Sequence, residues 1–196
     1  MTYKFGPAEK KDCMKLAEFI NMASDGVVEY LFHDLVPGAT PVQIVAHGLK
    51  DDSTPHCYKS AIVARDGDEV VGMALSFPSE YHYISDEMRS FFPADRLAHL
   101  SDLFGSRVEN SWYLDTLGVN ENYRKQGVGE KLILLTRDKA VENGHNTLSL
   151  IVFADNKLAL PVYKRIGFEV VRKVELGGNE FIRHEGGSLL LNWEFE

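Results

Sequence analysis

The groups in this sequence that are best suited to binding an anion lie in one short run, Arg124-Lys125-Gln126-Gly127-Val128-Gly129. An apolar run at Trp112–Val119 predicts a strand before it, and the periodic stretch Val128–Asn143 predicts a helix after it. The first turn of a helix has free N–H groups and the positive end of the helix dipole. Glycine lets a bulky anion approach that backbone, and two neighbouring cations add positive charge. The run therefore predicts a pyrophosphate site, although a Gly-x-Gly pair taken alone also fits a plain turn.

A second stretch that could do chemistry is a helix predicted over Asn156–Ile166. Asn156 is a good N-cap, and Gly167 can end the helix in a left-handed conformation. Tyr163 shares a helical face with Asn156, so its hydroxyl could donate a proton; a packed aromatic ring is the alternative. Pro161 removes a backbone donor inside the second turn, which either kinks the helix or delays its start.

The two stretches together resemble the GCN5-related N-acetyltransferase (GNAT) family. Its cofactor motif, [RQ]-x-x-G-x-[GA], matches at Arg124, Gly127 and Gly129. Its later signature resembles N-x-x-A-x-x-L-Y-x-x-x-G-F. This sequence has Val162 in place of the leucine and matches at Asn156, Ala159, Tyr163, Gly167 and Phe168. The resemblance is firm from Trp112 to Phe168 and covers the earlier residues only in topology.

The resemblance implies acetyl-CoA as the cosubstrate. The loop amides of the first run would hold its pyrophosphate, and backbone groups at the end of the preceding strand would hold its pantetheine arm. The cofactor-binding residues implied are Leu117, Gly118, Val119, Arg124, Lys125, Gln126, Gly127, Val128, Gly129, Asn156 and Tyr163.

The reaction implied is direct attack of an amine on the thioester carbonyl through a tetrahedral oxyanion. The Val119 N–H would polarise the carbonyl, and Tyr163 would protonate the leaving thiolate. Direct proton transfer from an amine of pKa near 10.4 to a carboxylate of pKa near 4 costs roughly 8 kcal/mol, so we expect a water chain anchored by a carboxylate. Asp115 is the predicted anchor, on the face of Leu117 and Val119 unless a bulge intervenes; a structural carboxylate that caps backbone is the alternative.

The acceptor pocket is expected where the family places it: between the first two helices, after the hairpin and along the last strands. The predicted substrate-binding residues are Glu29, Tyr30, Glu80, Tyr81 and His82, with His33, Tyr83, Phe181 and His184 as further candidates. Aromatic rings beside one carboxylate, as in the run from Glu80 to Tyr83, could hold an ammonium group. An ordinary solvated strand end is the alternative for this run.

Composition limits the possible partners. The chain of 196 residues carries 21 Lys and Arg against 29 Asp and Glu, a net charge of −8, which argues against a nucleic-acid partner. The same acidity fits a cationic acceptor, or solubility alone. No apolar run is long enough to span a bilayer and the first residues lack a secretory signal, so we expect no membrane partner and a cytoplasmic location. Cys13 and Cys57 are predicted to be buried, and the scattered histidines predict no metal site.

The elements that must position these residues alternate between strands and helices. Strands are predicted at Thr2–Phe5, Tyr58–Arg65, Val70–Phe77, Trp112–Val119, Thr147–Phe153, Phe168–Leu176 and Ser188–Phe195. Helices are predicted at Ala8–Met22, Val42–Leu49, Val128–Asn143 and Asn156–Ile166, with a helical insertion at 79–110. This order predicts an α/β fold with a mixed sheet of about seven strands flanked by helices, in a single domain over 1–196.

The sequence thus predicts an acetyl-CoA-dependent N-acetyltransferase that acts on a small-molecule amine. A protein N-terminus or lysine is the alternative acceptor, which the insertion at 79–110 disfavours by narrowing access. A non-catalytic acyl-CoA-binding module is the third hypothesis. The apolar strand at Leu189-Leu190-Leu191 could pair across a homodimer.

Overall fold

A seven-stranded mixed sheet lies at the centre of the computed structural model, which describes residues 3–195. The strands are β1 (Lys4–Pro7), β2 (Ala61–Asp66), β3 (Glu69–Pro78), β4 (Trp112–Val119), β5 (Thr147–Phe153), β6 (Glu169–Val174) and β7 (Ser188–Glu194). Their order in the sheet is β1-β2-β3-β4-β5-β7-β6. Among these described strands, β4 and β5 run parallel and the other neighbours antiparallel. The predicted mixed sheet of about seven strands is confirmed.

Helices cover both faces and one end of the sheet. They are α1 (Cys13–Ser24), α2 (Val27–Phe32), α3 (Pro41–Gly48), α4 (Asp86–Phe91), α5 (Ala94–His99), α6 (Ser101–Gly105), α7 (Val128–Glu142) and α8 (Leu160–Ile166). The helices α4 to α6 lie between β3 and β4 and confirm the predicted helical insertion. In residues 3–195 no helix combines the length and the apolar character needed to cross a bilayer.

Local sequence sets where α3 begins. The Thr40 hydroxyl accepts a hydrogen bond from the Gln43 N–H, and the Gln43 carboxamide accepts one from the Thr40 N–H. This capping box satisfies two backbone donors at the start of the helix. Pro41 occupies the first helical position, where a missing N–H removes no helical bond.

Several predicted boundaries are wrong by short segments, and the helix predicted over Ala8–Met22 is the α-helix Cys13–Ser24. The first strand is Lys4–Pro7 rather than Thr2–Phe5, and Thr2 lies outside the described residues. The segment Tyr58–Ser60 is a 3-10 turn rather than the start of β2. The Tyr58 N–H donates to the carbonyl of Leu49 over 3.0 Å, so this segment stays against the end of α3 and β2 begins only at Ala61.

Two apolar clusters fill the two faces of the sheet. The helices α7 and α8 pack on one face, where Leu132 and Leu148 are fully buried. The helices α1 and α3 pack on the other face around Leu16 and Met73. Each such side chain contributes roughly 1.5–3 kcal/mol of hydrophobic stabilisation, so the sheet is held firmly between its two helical layers. As predicted, the two free cysteines, Cys13 and Cys57, are buried.

The apolar strand Leu189-Leu190-Leu191 lies inside the sheet. As part of β7 it is hydrogen-bonded to β5 on one side and to β6 on the other. The prediction that this strand pairs across a homodimer is therefore wrong, because both of its edges are already filled within the chain. A homodimer formed through another surface stays a prediction.

Candidate active site

The sheet splits between β4 and β5. The two strands pair only at Trp112 with Leu148 and at Tyr113 with Ser149. Beyond these residues β4 follows β3 and β5 follows β7, so the two halves of the sheet diverge. At the closed end, the hydroxyls of Ser111 and Ser149 lie 2.6 Å apart and are buried. The split leaves one backbone edge of β4 without a strand partner.

Val119 turns its backbone groups to that open edge. The next N–H, that of Asn120, donates to the carbonyl of Val71 at the β3 side over 2.9 Å. Backbone groups of neighbouring residues in a strand point to opposite edges, so the N–H and C=O of Val119 face the split. The guanidinium of Arg124 donates to this same carbonyl over 3.2 Å. The Val119 N–H is thus available to a carbonyl or an amide placed in the split.

The loop from β4 to α7 forms a cradle of backbone N–H groups. Lys125 and Gly127 adopt positive φ angles of 59° and 82°, which turn the chain sharply before the helix. The first helical bond runs from the Lys131 N–H to the Gly127 carbonyl over 3.0 Å. Within the described chain, the N–H groups of residues 125–130 donate to no protein acceptor. Successive free amides at a helix start are a strong anion site, as the sequence predicts.

Side chains brace this cradle from behind. The Tyr3 hydroxyl donates to the Gln126 side-chain oxygen over 2.5 Å, and the Gln126 amide donates to the Asn122 carbonyl over 3.0 Å. The Asn120 side chain accepts from the Asn122 N–H over 3.0 Å. The side chain of Gln126 therefore stabilises the loop, while its backbone N–H is one of the free amides of residues 125–130. The parts played by Tyr3 and Asn120 were not predicted, because nothing local in the sequence signals them.

Alanine substitutions at the two motif glycines should show whether coenzyme A binding depends on the backbone conformation of the loop or on the space that a missing Cβ leaves. Gly127 has φ +82° with no neighbour within 4 Å of an added Cβ, whereas an added Cβ at Gly129 meets Val119 at an ordinary 3.6 Å. We expect Gly127→Ala to strain the loop by about 1–2 kcal/mol and to weaken binding of coenzyme A. Gly129→Ala should leave the affinity within about twofold, since no strain is introduced. Calorimetry on both variants checks this; equal affinities would contradict it.

Asn156 and Pro161 together shape the start of α8. The Asn156 carboxamide oxygen accepts from the N–H groups of Leu158 and Ala159 over 3.2 and 3.0 Å, which stabilises a turn rather than the helix itself. The helix begins only at Leu160, with Pro161 in its first turn where no helical N–H is needed. The predicted helix start at Asn156 is therefore wrong, and Pro161 delays the helix instead of kinking it.

Tyr163 lies inside the core at the split. It is 7% exposed and packs in one cluster with Leu114 of β4 and Leu150 of β5, with its ring edge-to-face on Phe168 at 5.4 Å. Burial raises the pKa of its hydroxyl far above the usual value of about 10. Among residues 3–195 this hydroxyl has no hydrogen-bond partner. At neutral pH the Tyr163 hydroxyl is therefore protonated, and its hydrogen is available to a bound molecule.

Asp115 occupies a β-bulge. In the pairing of β3 with β4, Leu75 opposes Thr116 and Ser76 opposes Leu114, so Asp115 is the extra residue. The bulge does intervene in the predicted alternation: Leu114 and Leu117 contact the same core cluster although an odd number of positions separates them. The exception that the prediction allowed for a bulge therefore applies, and Asp115 does not share the face of Leu117 and Val119. Its carboxylate accepts from the Thr116 hydroxyl over 2.9 Å and remains half-buried.

Three elements that were predicted to line the acceptor pocket do meet: α2, the insertion, and the loop between β6 and β7, residues 175–187. The Phe181 ring stacks on His33 at 4.4 Å and lies 6.4 Å from Tyr30. The Arg96 guanidinium of α5 donates to the carbonyls of Leu31 and His33 over 2.8 and 2.9 Å. These contacts join the three elements into one wall, here called the acceptor wall because the acceptor pocket is predicted there.

Three further contacts of acidic residues lie at this wall. His184 lies 2.7 Å from the Asp155 carboxylate and 2.9 Å from that of Asp25, at the turn between α1 and α2. Glu29 is half-buried and accepts from the Asn21 amide over 3.2 Å. Sequence reasoning missed Asp155 and Arg96, since both act through contacts with distant segments.

The run from Glu80 to Tyr83 divides between surface and interior. Glu80 is exposed, as are Tyr81 at 42% and Tyr83 at 48%. His82 turns inward and is 4% exposed. The run follows β3 as a 3-10 turn, Ser79–Tyr81, whose end places the imidazole beneath the insertion.

A substitution at Gly26 should disturb the acceptor wall without touching the cradle. Gly26 has φ +104°, and an added Cβ would lie 2.2 Å from the Phe181 carbonyl oxygen. We expect Gly26→Ala to lower the free energy of unfolding by about 1–3 kcal/mol and to raise the KM for the amine, with coenzyme A affinity unchanged. Gly38→Ala is the control, since its φ is +77° but nothing lies within 4 Å. Equal amine KM values in the two variants would contradict this.

Comparisons with known proteins agree with the fold and the motifs. A family model described as the acetyltransferase (GNAT) family matches residues 31–168. Thialysine N-epsilon-acetyltransferase from Bos taurus is 34% identical over 77 residues, which is 39% of this chain and 44% of that protein. The protein of the same name from Sus scrofa matches equally, also over 44% of its length. The chain thus aligns with less than half of these curated relatives.

Solved structures match over almost the whole chain. An N-acetyltransferase from Staphylococcus aureus Mu50 has a TM-score of 0.70 at 18% identity and covers 96% of this chain and 98% of its own. The PaiA N-acetyltransferase from Thermoplasma acidophilum, solved in complex with coenzyme A, has a TM-score of 0.59 at 11% identity with full coverage of both chains. At these identities the likeness shows the fold alone.

Proposed function

Because the chain belongs to the acetyltransferase (GNAT) family, we propose that it transfers an acetyl group from acetyl-CoA to a primary amine of a small molecule. One observation carries this proposal. A set of free backbone amides at residues 125–130 lies beside the open edge of β4, so a diphosphate and a thioester arm can be held together. Tyr163, which is buried and protonated, packs in one cluster with Leu114 of β4 and Leu150 of β5, the two strands that flank the split.

The residues present fit acetyl-CoA along its length. The N–H groups of residues 125–130, with Arg124 and Lys125, would hold the diphosphate. The β4 edge from Leu117 to Val119 would pair with the amides of the pantetheine arm. At Gly118 the absence of a side chain lets β4 pack closely against α1, because an added Cβ would lie 3.0 Å from the Phe19 ring. The Asn156 side-chain N–H₂ has no acceptor in the described chain and could reach the same arm.

Two groups of the chain would act on the reacting atoms. The Val119 N–H would donate to the carbonyl oxygen as negative charge develops on it, which stabilises the tetrahedral species. Tyr163 would donate a hydrogen bond to the departing sulfur. Its raised pKa lies above the value of about 8.5 of a free thiol, so the hydroxyl stabilises the thiolate without surrendering its proton permanently.

The acceptor side favours a small amine over a long peptide. The wall formed by α2, the insertion and the loop 175–187 is closed by Arg96, which bridges α5 to α2, and by His184, which bridges that loop to Asp25. An extended peptide would have to break these contacts. Carboxylates at Asp25, Glu29 and Asp155 give this side negative charge that attracts a cationic amine. The curated relatives are named for thialysine, a small amine of this class.

Thiol release from acetyl-CoA tests the proposal. Wild-type chain should release free thiol with one or more of thialysine, lysine, polyamines and aminoglycosides, and faster than with peptides that present an N-terminal amine or a lysine. Faster release with a peptide would overturn the small-molecule assignment. Tight binding of coenzyme A without release for any amine would identify a non-catalytic acyl-CoA-binding module.

A further inference from the structure

The His82 imidazole is a buried titratable group for which the mechanism above has no use. It is 4% exposed and lies on the Tyr113 ring of β4, with centroids 4.2 Å apart and planes at 30°. Phe104 of α6 lies on it at 5.7 Å. The imidazole therefore sits between the insertion and the part of β4 where the bulge places Asp115.

One hydrogen bond fixes its tautomer. The Nε2 atom lies 2.9 Å from the Leu103 carbonyl, which can only accept, so Nε2 carries the hydrogen. In a neutral imidazole the other nitrogen, Nδ1, then carries the lone pair. Among residues 3–195 this Nδ1 makes no hydrogen bond. His82 thus holds an unpartnered proton acceptor on a ring that is largely buried.

The charged groups that face His82 come from three elements. Burial lowers the pKa of the imidazole, and the hydrogen bond to Leu103 and the charge of Asp115 raise it. The charges of His56, before β2, and of Arg107, after α6, lower it. Burial and then the charge of Asp115 raise the pKa of Tyr113 on the same strand, and Tyr163 acts in the same direction. The charge of Asp115 thus acts on both His82 and Tyr113.

We propose that His82 and Asp115 form the proton-accepting pair for the acceptor amine, with Nδ1 of His82 as the base and Asp115 stabilising the imidazolium. This inference rests on the proposed acetyl transfer. The ammonium first loses a proton to water, and the neutral amine attacks the thioester carbon. The new N–C bond forms, and the nitrogen becomes positively charged and strongly acidic. Its proton passes to Nδ1 through a chain of waters, because Tyr113, on which His82 lies, is roughly 20 Å along β4 from Val119. The C–S bond breaks, the sulfur leaves with the electron pair, and His82 returns the proton to solvent.

A glutamine at position 82 tests the pair. In His82→Gln the side-chain N–H₂ can still donate to the Leu103 carbonyl, but the new side chain cannot accept a proton from the amine. We expect kcat at saturating acetyl-CoA and amine to fall roughly 10²-fold. The acidic limb of the kcat profile, expected below about pH 6.5 because burial lowers the pKa of His82, should disappear. The amine is thialysine, or whichever amine of the panel above turns over fastest. Coenzyme A affinity should stay within about twofold, since the cradle is untouched.

Asp115→Asn should act with a defined sign. The carboxylate raises the pKa of His82, so its removal should move the acidic limb to lower pH and reduce kcat. His47→Gln is the matched control, because His47 is an exposed histidine on α3, and it should keep both the rate and the limb.

Three outcomes would contradict the proposed pair. The first is a kcat of His82→Gln within about twofold of wild type, and the second is an acidic limb that persists in that variant. The third is an acidic limb whose midpoint is the same in Asp115→Asn as in wild type. If the glutamine variant does not fold, NMR titration of wild-type ¹⁵N-histidine decides. The His82 signal must show Nε2–H and a titration that coincides with the acidic limb, and any other midpoint rejects the pair. A wild-type chain that binds coenzyme A but acetylates no amine rejects the proposed function instead.

Discussion

Replacing Tyr163 with phenylalanine should lower kcat for acetyl transfer by more than about tenfold and leave the affinity for coenzyme A nearly unchanged. The hydroxyl is the one polar atom of a ring that is otherwise packed among Leu114, Leu150 and Phe168, and phenylalanine keeps that packing. The substitution removes the hydrogen-bond donor to the departing sulfur. This donor stabilises the transition state more than the bound substrate. Steady-state thiol release and calorimetry with coenzyme A give the two quantities.

Tyr58→Phe provides the matched control. Tyr58 is half-buried against the cluster under α1 and α3, on the opposite side of the sheet from α8. Loss of a hydroxyl there should leave kcat unchanged. Equal rates for Tyr163→Phe and wild type would remove Tyr163 from the mechanism and favour the packed-aromatic interpretation.

Reversing the charge at Arg124 should weaken coenzyme A binding by roughly 10- to 100-fold. A charge-assisted hydrogen bond contributes about 1.5–3 kcal/mol, and the added carboxylate repels the diphosphate. Arg124→Glu also removes the hydrogen bond to the Val119 carbonyl at the edge of the split. Arg124→Gln should fall between wild type and the reversal, because it removes the charge without adding repulsion. Dissociation constants from calorimetry measure the effect.

Lys173→Glu makes the same change of charge at a distant place. Lys173 is exposed on β6, at the far edge of the sheet. Its substitution should shift the affinity only through weak long-range charge, which salt screens. Should Arg124→Glu and Lys173→Glu weaken binding equally, the cradle would not hold the diphosphate.

The strand, loop and helix around the cradle could be predicted because their signals are local. An apolar run predicts β4, the helical period predicts α7, and the glycines with Arg124 mark the turn between them. The position of Tyr163 on a helix near that turn followed from a second local motif. The cofactor-binding, catalytic and substrate-binding roles assigned to these residues remain predictions.

The remaining features depend on pairing or packing between distant segments. One extra residue at Asp115 reverses the alternation of β4, and a bulge is specified by the neighbouring strand rather than by β4 alone. Likewise, His82 turns inward while Tyr81 stays exposed because the carbonyl of Leu103 lies above the strand end. Arg96 contacts residues more than sixty positions away, a pairing that periodicity does not encode.

Calorimetric titration of the wild-type chain with coenzyme A, beside pantetheine, is the most direct test of diphosphate binding by the free amides of residues 125–130. We expect one binding site per chain for coenzyme A and at least about tenfold weaker binding of pantetheine, which lacks the diphosphate together with the phosphorylated adenosine. Absence of heat with coenzyme A, or equal affinity for pantetheine, would contradict both the cradle and the acetyl transfer proposed from it.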